Sequence, residues 1–397
     1  MDADRVLERL RALPEGARLL DAVDGLSGLH VVGGAVRDLL LDGVPRDLDL
    51  IAEAEGPAVA AELARRLGVP PPVVHDRFGT ASVEGAGLNV ATARAESYAR
   101  PGALPTVRPG SVVEDMARRD FTVNAIAVGL SPDRVGVVHA APEAFADLRA
   151  RRLRVLHDAS FLDDPTRLVR LARYAARLGF AVEERTAELA REAFAAGAPS
   201  TAGRARMGGE LLLALREPDP IAALVSLRDL AGDALLDPGL RVDERALRAA
   251  SSLLPGDTLV LLAALAVEVP RERLGGWLAD IHLSEAAAVL DATDDPAGLA
   301  AAMRAAERPS ALWRLLRRRT PQAAALAGAL GAEEQARRWL DELRHVRLEI
   351  GGEDLLAAGV PQGPEVGRRL EAALARKLDE GVAGREEELA AALERPV

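Results

Sequence analysis

Between about Gly28 and Leu130, short β-rich runs (LHVVGG, LDLIAE, ASVEGAGLNVATA and NAIAVGL) alternate with stretches of helical rhythm such as GPAVAAELARRLGV. Gly and Pro punctuate them. This pattern predicts an α/β region. Beyond about Pro142 the strand signal nearly vanishes. PTRLVRLARYAARLGF, GGELLLALREP and IAALVSLRDLAGDALL carry apolar residues at helical spacing and follow one another closely. The rest of the chain therefore reads as an all-helical array, with Pro270, Pro296 and Pro309 at connections between helices. The apolar run from Thr258 to Val269 is too short to cross a bilayer and reads as a buried helix. No fixed-period repeat is visible. From Arg347 a Gly-rich tail, LEIGGEDLLAAGVPQGPEVGRRL, leads into a charged terminal helix.

One stretch breaks the core pattern. In HVVGGAVRDLLLDGVPRDLDLIAE, Asp47 and Asp49 stand two apart on a predicted strand, so both carboxylates project to one face while Leu48 and Leu50 take the other. Adjacent carboxylates repel unless a cation lies between them. Mg²⁺ takes hard oxygen ligands and commonly joins one or two carboxylates to a substrate phosphate. A solvated strand end with two acids is the plainer alternative for so short a pattern. Gly33 and Gly34, placed between a strand and a helix, add a backbone that a phosphate can approach. Arg37, on that helix, can reach the same phosphates. Together these features suggest metal-assisted phosphoryl or nucleotidyl transfer.

Composition narrows the setting. Of 397 residues, 49% are hydrophobic, 28% charged and 3% aromatic, so the core must be mostly Ala, Leu and Val, which favours helix. That length suits two to four domains. The absence of cysteine excludes disulfides and thiolate metal sites and fits a reducing, cytoplasmic setting. The charged N-terminus is no signal peptide. A net charge of −11 argues against a nucleic-acid partner, but arginines crowd the segment from Arg149 to Arg177, and a basic surface can sit on an acidic protein. His75 and His157 read as structural or surface residues, since no histidine pair has metal-ligand spacing.

GGAVRDLLLDGVPRDLDL resembles the signature of the class II tRNA nucleotidyltransferase and bacterial poly(A) polymerase family, a branch of the DNA polymerase beta-like nucleotidyltransferases. Further similarities follow in the family's order: RFGTASV (Arg77 to Val83), ARRDFTVNAIAV (Ala117 to Val128), DDPTRLVRLARYAARLGF (Asp163 to Phe180), STAGRARMGGEL, and the tail motif IGGEDLLAAGVPQGPEVGRRL (Ile350 to Leu370). The resemblance implies an α+β head over residues 1–140, an all-α neck over 141–213 with a base-selecting helix, a body over 214–340 and a tRNA-contacting tail over 341–397. It implies template-independent addition of CMP, AMP or both to the tRNA 3′ end from CTP and ATP, with Mg²⁺ as cofactor and release of pyrophosphate. Poly(A) polymerase, or an RNA-binding relative that has lost catalysis, are the alternatives. No phosphohydrolase motif of paired His and Asp is present.

Residue by residue, the resemblance makes Asp47 and Asp49 the metal ligands. Gly33, Gly34 and Arg37 would hold the triphosphate. Arg119 would pair with a phosphate and Asp120 would accept from a ribose hydroxyl; the plainer reading is an ion pair at the start of a helix beginning at Asn124, itself a structural residue. Asp164 and Arg167, three apart on one helix face, would present donor and acceptor to the base, and Arg170 and Arg173 would continue to the triphosphate; the plainer reading is a surface salt bridge. The glycines from Gly351 to Gly367 would grip RNA phosphates, or simply form turns. Two departures stand out. Asn89 occupies the position where relatives carry a third carboxylate, leaving Glu84 or Glu96 as substitutes, and HAAPEAFADL replaces a glycine-rich hinge.

Overall fold

The β-rich runs of the first third pair into one mixed sheet: Leu29–Val32 and Ile126–Gly129 are buried at every position, whereas Thr80–Val83 and Leu88–Thr92 bury alternate positions more deeply. The computed structural model describes residues 2–75, 79–231 and 239–394. Arg77 and Phe78 of the RFGT string lie outside them. The chain forms two units, Met1–Ala234 and Leu235–Val397.

In the first unit, α1 (Asp2–Ala12) and α2 (Pro14–Ala22) precede β1 (Leu29–Val32). There follow α3 (Gly34–Leu40), β2 (Leu48–Ala52), α4 (Gly56–Leu67), β3 (Val73–His75), β4 (Thr80–Val83) and β5 (Leu88–Thr92). A hairpin of β6 (Arg94–Ser97) and β7 (Thr106–Pro109) leads to α5 (Val112–Ala117), β8 (Ile126–Gly129) and β9 (Val138–Ala140). The sheet order is β3-β4-β5-β2-β1-β8-β9. β2 runs antiparallel to β1 and parallel to β5, which seats Asp49 opposite Asn89. Ile51, on the Asp49 side of β2, joins Val32, Ala93, Val112, Met116, Ala125 and Ala127 in a buried cluster. The Asp49 side chain thus interrupts an otherwise apolar strand.

Helices then dominate, as the periodicity predicts. α6 (Ala144–Ala150), β10 (Arg152–Leu153), α7 (Ser160–Asp163), α8 (Thr166–Leu178), β11 (Ala181–Val182), α9 (Glu184–Ala195), α10 (Arg204–Ala214) and α11 (Pro220–Ala231) complete this unit. Among the described residues, only the two-residue strands β10 and β11 depart from the all-helical expectation; they pair in parallel.

No helix begins at Asn124. Residues Thr122–Asn124 make a single 3-10 turn, and Ile126 opens β8, a strand buried at every position between β1 and β9. Sheet burial of the apolar Ile126–Val128 outweighs any capping by Asp120 or Thr122.

Gly56 marks a place where backbone meets backbone. A Cβ there would lie 2.5 Å from the Thr92 amide nitrogen and 2.6 Å from the Ala91 carbonyl carbon. The Gly56 N–H donates to Thr92 Oγ1 at 2.9 Å and fixes that approach. Gly56→Ala is therefore expected to cost about 1–3 kcal/mol through overpacking, read as a fall of several degrees in the melting temperature of this unit. An unchanged melting curve would refute the close packing.

The second unit is a helical array: α12 (Glu244–Leu253), α13 (Thr258–Leu265), α14 (Arg271–Asp280), α15 (Ala286–Ala292), α16 (Pro296–Ala305), α17 (Pro309–Leu316), α18 (Pro321–Ala327), α19 (Glu333–Asp341), α20 (Gly352–Ala357), α21 (Pro364–Glu380) and α22 (Arg385–Leu393). Pro296 and Pro309 open helices, where a missing N–H is harmless. α13 is buried from Val260 to Leu265. In the tail, Ile350, Leu355, Val360, Ala373, Ala391 and Ala392 form one small core. Gly359 and Gly363 take the positive φ of tight turns, whereas Gly367 lies within α21. Among the described residues no helix is long and apolar enough to cross a membrane.

Candidate active site

A cavity of about 850 Å³ opens in the first unit where the sheet, the β6–β7 hairpin, α8 and α10 converge. Asp47 and Asp49 lie on its wall. Asp47 stands just before β2 rather than within it, and Asp49 is the strand's one exposed position. Asp49 stays open to the cavity yet is enclosed by its walls. That burial raises its carboxyl above the usual range, only partly offset by the hydrogen bond from Asn89.

Asn89 is held opposite by the β2–β5 register. Its Nδ2 donates to Asp49 Oδ1 at 3.2 Å, and its Oδ1 accepts from Ser82 Oγ at 3.0 Å. Among the described residues no group of three His, Asp or Glu side chains is arranged to hold a metal. Glu84 sits in a 3-10 turn and does not line the cavity. Glu96 does, but Arg94 and Arg118 hold it at 3.0 and 3.1 Å. The donor set on the cavity wall is thus the two acids, with Asn89 turned to Asp49 through its amide nitrogen. It fits a hard divalent ion that completes its shell with water and substrate phosphate.

Gly33 adopts φ 69° between β1 and α3, and a Cβ on it would lie 2.5 Å from Arg119 Nη1. Only glycine meets both demands. Gly34 lines the cavity beside it. Arg37 is buried; its Nη1 donates to Asn124 Oδ1 at 2.6 Å and its Nε to Asp38 at 2.8 Å. Asn124 in turn donates to Asp120 Oδ1 at 2.9 Å, linking Arg37 to Asp120 on the cavity wall.

Arg118 and Arg119 both bind the fully buried Asp115, at 2.7 and 3.1 Å. Asp120 departs from the ribose-acceptor reading. It accepts from the Phe121 N–H and Asn124 on one oxygen and twice from Arg170 on the other. Those four bonds use the capacity of a carboxylate. Burial opposes its charge, but Arg170 and Asn124 overcome this and hold its carboxyl at about 2. Asp120 lines the cavity, but its bonds make it a strut between the turn after α5 and α8.

Asp164 and Arg167 both line the cavity, but they neither share a helix nor form a salt bridge among the described residues. Asp164 precedes Pro165, whose ring disfavours helical backbone in the residue before it, and takes φ −132°, ψ 91°. Its Oδ1 accepts from the Thr166 N–H, Thr166 Oγ1 and Arg206 Nη2. Oδ2 has no partner among the described residues. Arg167, on the first turn of α8, donates from Nη1 to Ser160 Oγ at 2.7 Å and from Nη2 to the Arg118 carbonyl at 2.6 Å. Three of its five N–H groups remain uncommitted.

The arginine row on α8 is not a bare cationic stripe. Arg170 pairs with Asp120 and Glu210, and Arg173 with Glu210 and Glu217. Arg173 does not reach the cavity lining. Tyr174 lines the cavity with Arg37, Arg170 and Arg177 over its ring at 5.6, 5.6 and 4.7 Å. Sequence reading missed Tyr174, Arg206, Glu210 and Asp115. Glu210 was visible only as part of the GGEL string.

Residues 29–154 match the model of the poly A polymerase head domain. A CC-adding tRNA nucleotidyltransferase of Deinococcus radiodurans is 36% identical, across 86% of this chain and 82% of its own. An A-adding tRNA nucleotidyltransferase of Geobacter sulfurreducens is 31% identical over 91% of this chain, which spans only 44% of that relative's length. A solved CCA-adding enzyme of Thermotoga maritima, complexed with tRNA-CCA, superposes with a TM-score of 0.80 at 26% identity, covering 99% of this chain and 98% of its own. The chain spans less than half the length of the A-adding relatives it matches. Nucleotidyltransferases of this kind generally use a divalent metal. With a mixed-sheet head, a helical remainder and a Deinococcus relative matched along most of both chains, this protein belongs to the tRNA nucleotidyltransferase family.

Proposed function

We propose that the protein adds CMP, AMP or both to the 3′ end of tRNA, joining the 3′-hydroxyl to the α-phosphate of CTP or ATP and releasing pyrophosphate. The observation that carries this reading is the single cavity that holds Asp47 and Asp49 on one wall and Asp164 and Arg167 on another. Asp47 and Asp49 hold Mg²⁺. When bound, the ion offsets the negative charge of the triphosphate and makes the attacking hydroxyl more acidic. Gly34 lets the triphosphate approach the backbone, and Arg37, Arg119 and Arg170 line its path. Gly33 and Arg173 act from outside the lining, Gly33 by the turn it permits and Arg173 by fixing Glu210.

Base choice falls to Asp164 and Arg167. The open Oδ2 accepts from an exocyclic amine, and the uncommitted guanidinium N–H groups donate to a ring nitrogen or carbonyl. Both C and A carry such an edge; U and G do not present it in the same order. The work is divided among a catalytic head (1–140), a base-selecting neck (141–213), a body (214–340) and a tail (341–397) whose turns around Gly351–Gly367 meet the RNA backbone. This chemistry belongs in the cytoplasm, with tRNA and nucleotide pools.

The direct test mixes purified protein, Mg²⁺ and labelled CTP or ATP with tRNAs lacking CCA, lacking CA, or lacking only the final A. Extension of one or more sets the specificity. Extension of none, in a protein that still binds tRNA, means that catalysis is lost. For base choice, Arg167→Ala is expected to reduce discrimination against UTP and GTP by about tenfold or more, one lost charged hydrogen bond's worth, with tRNA affinity unchanged. Retained discrimination would remove Arg167 from that role.

A further inference from the structure

Among the described residues nine arginines line the cavity, and eight are engaged by protein partners. Arg46 is the exception: it is exposed and has no partner among the described residues. It stands next to Asp47 on the loop that joins α3 to β2. That loop is anchored at its far end. Asp42 adopts φ 63° and is gripped by Arg5 at 2.6 Å and Arg9 at 2.5 Å from α1, and the Gly43 N–H donates to the Asp38 carbonyl at 2.8 Å. Pro45 stiffens the step before Arg46. Val44, on the same loop, is 76% exposed, the most exposed large hydrophobic residue described. A braced loop thus displays one uncommitted cation beside the acid pair, while Val44 faces a separate hollow against α1.

We infer that this loop receives the 3′-terminal nucleotides of the RNA. Arg46 pairs with a backbone phosphate close to the reacting hydroxyl. The inference rests on the proposed function and adds a binding residue to it. Chemistry decides between the two anionic substrates. The cations toward the nucleotide side are buried and already oriented, Arg37 and Arg167 at 3% and 5% exposure. The RNA end must arrive from solvent past two carboxylates that repel its phosphates. A guanidinium on the solvent side of those carboxylates offsets the repulsion where the strand passes.

The test compares wild type, Arg46→Ala and Arg46→Lys. Binding of tRNA lacking CCA is measured by filter retention at several salt concentrations, and steady-state constants for CTP and ATP at saturating tRNA. Arg46→Ala should weaken tRNA binding about 3–10-fold and reduce the slope of log affinity against log salt by about one, the signature of one lost phosphate contact. Arg46→Lys should keep the slope, and the nucleotide KM should stay within about twofold in both variants. A wild type that neither binds nor extends tRNA would fail the enzymatic reading itself, before any variant is compared. With an active wild type, an unchanged affinity and slope in Arg46→Ala, a raised nucleotide KM, or a lost slope in Arg46→Lys overturns the inference.

Discussion

Asp47→Ala and Asp49→Ala are each expected to lower the rate of nucleotide incorporation by at least about 10³-fold, while tRNA binding survives. The magnitude follows from removing half of a two-carboxylate metal site: stabilisation of developing charge by a bound metal amounts to several kcal/mol, and about 1.4 kcal/mol is tenfold in rate. The residues placed to substitute are unsuited, and Asp38, also on the cavity wall, is bound to Arg37. Asn89 brings no charge, and Glu96 is bound to Arg94 and Arg118. Asp49→Ala should not unfold the head, because the carboxylate faces the cavity and, among the described residues, accepts its one protein hydrogen bond from Asn89. Single-turnover extension and filter binding on the same preparations check the prediction. An equal loss of both would assign these acids to RNA binding or folding instead.

Asp120→Ala should destabilise the first unit by about 2–4 kcal/mol, seen in chemical denaturation. The substitution removes four hydrogen bonds at once and leaves Arg170 without its principal partner. Breaking a buried ion pair by truncating one side typically costs about 3–5 kcal/mol; Arg170 is 32% exposed, which lets water recover part of that. A loss below about 1 kcal/mol would show that Asp120 is not the strut described above, and would restore it as a candidate for substrate contact.

The head was legible where short-range rules govern. Two glycines after LHVV mark the turn into α3, and the spacing of Asp47 and Asp49 gives their common side. Asp164 shows a rule present in the text but unused: Pro165 follows it, and a residue before proline leaves the helix. The acid partners were not legible. Asp120 meets Arg170 across fifty residues, and Glu210 meets Arg173 across thirty-seven. Nothing in a local window marks such pairs, because they are made by packing α8 against α10 and against the turn after α5. The same packing hides Tyr174, which reads as one more core aromatic in ARYAARLGF. Asn89 is the converse case. The sequence showed a missing charge; only the β2–β5 register shows that the amide still touches Asp49.

The pairing of almost every cavity arginine with an acid has a consequence for selectivity. A pocket of bare guanidinium groups would trap any small anion in the cell, inorganic phosphate first among them. Here the resident carboxylates act as tethered counter-ions that a newcomer must outbid. Entry therefore favours a polyanion that arrives already chelated, bringing cations to the acids while its own oxygens take over the arginines.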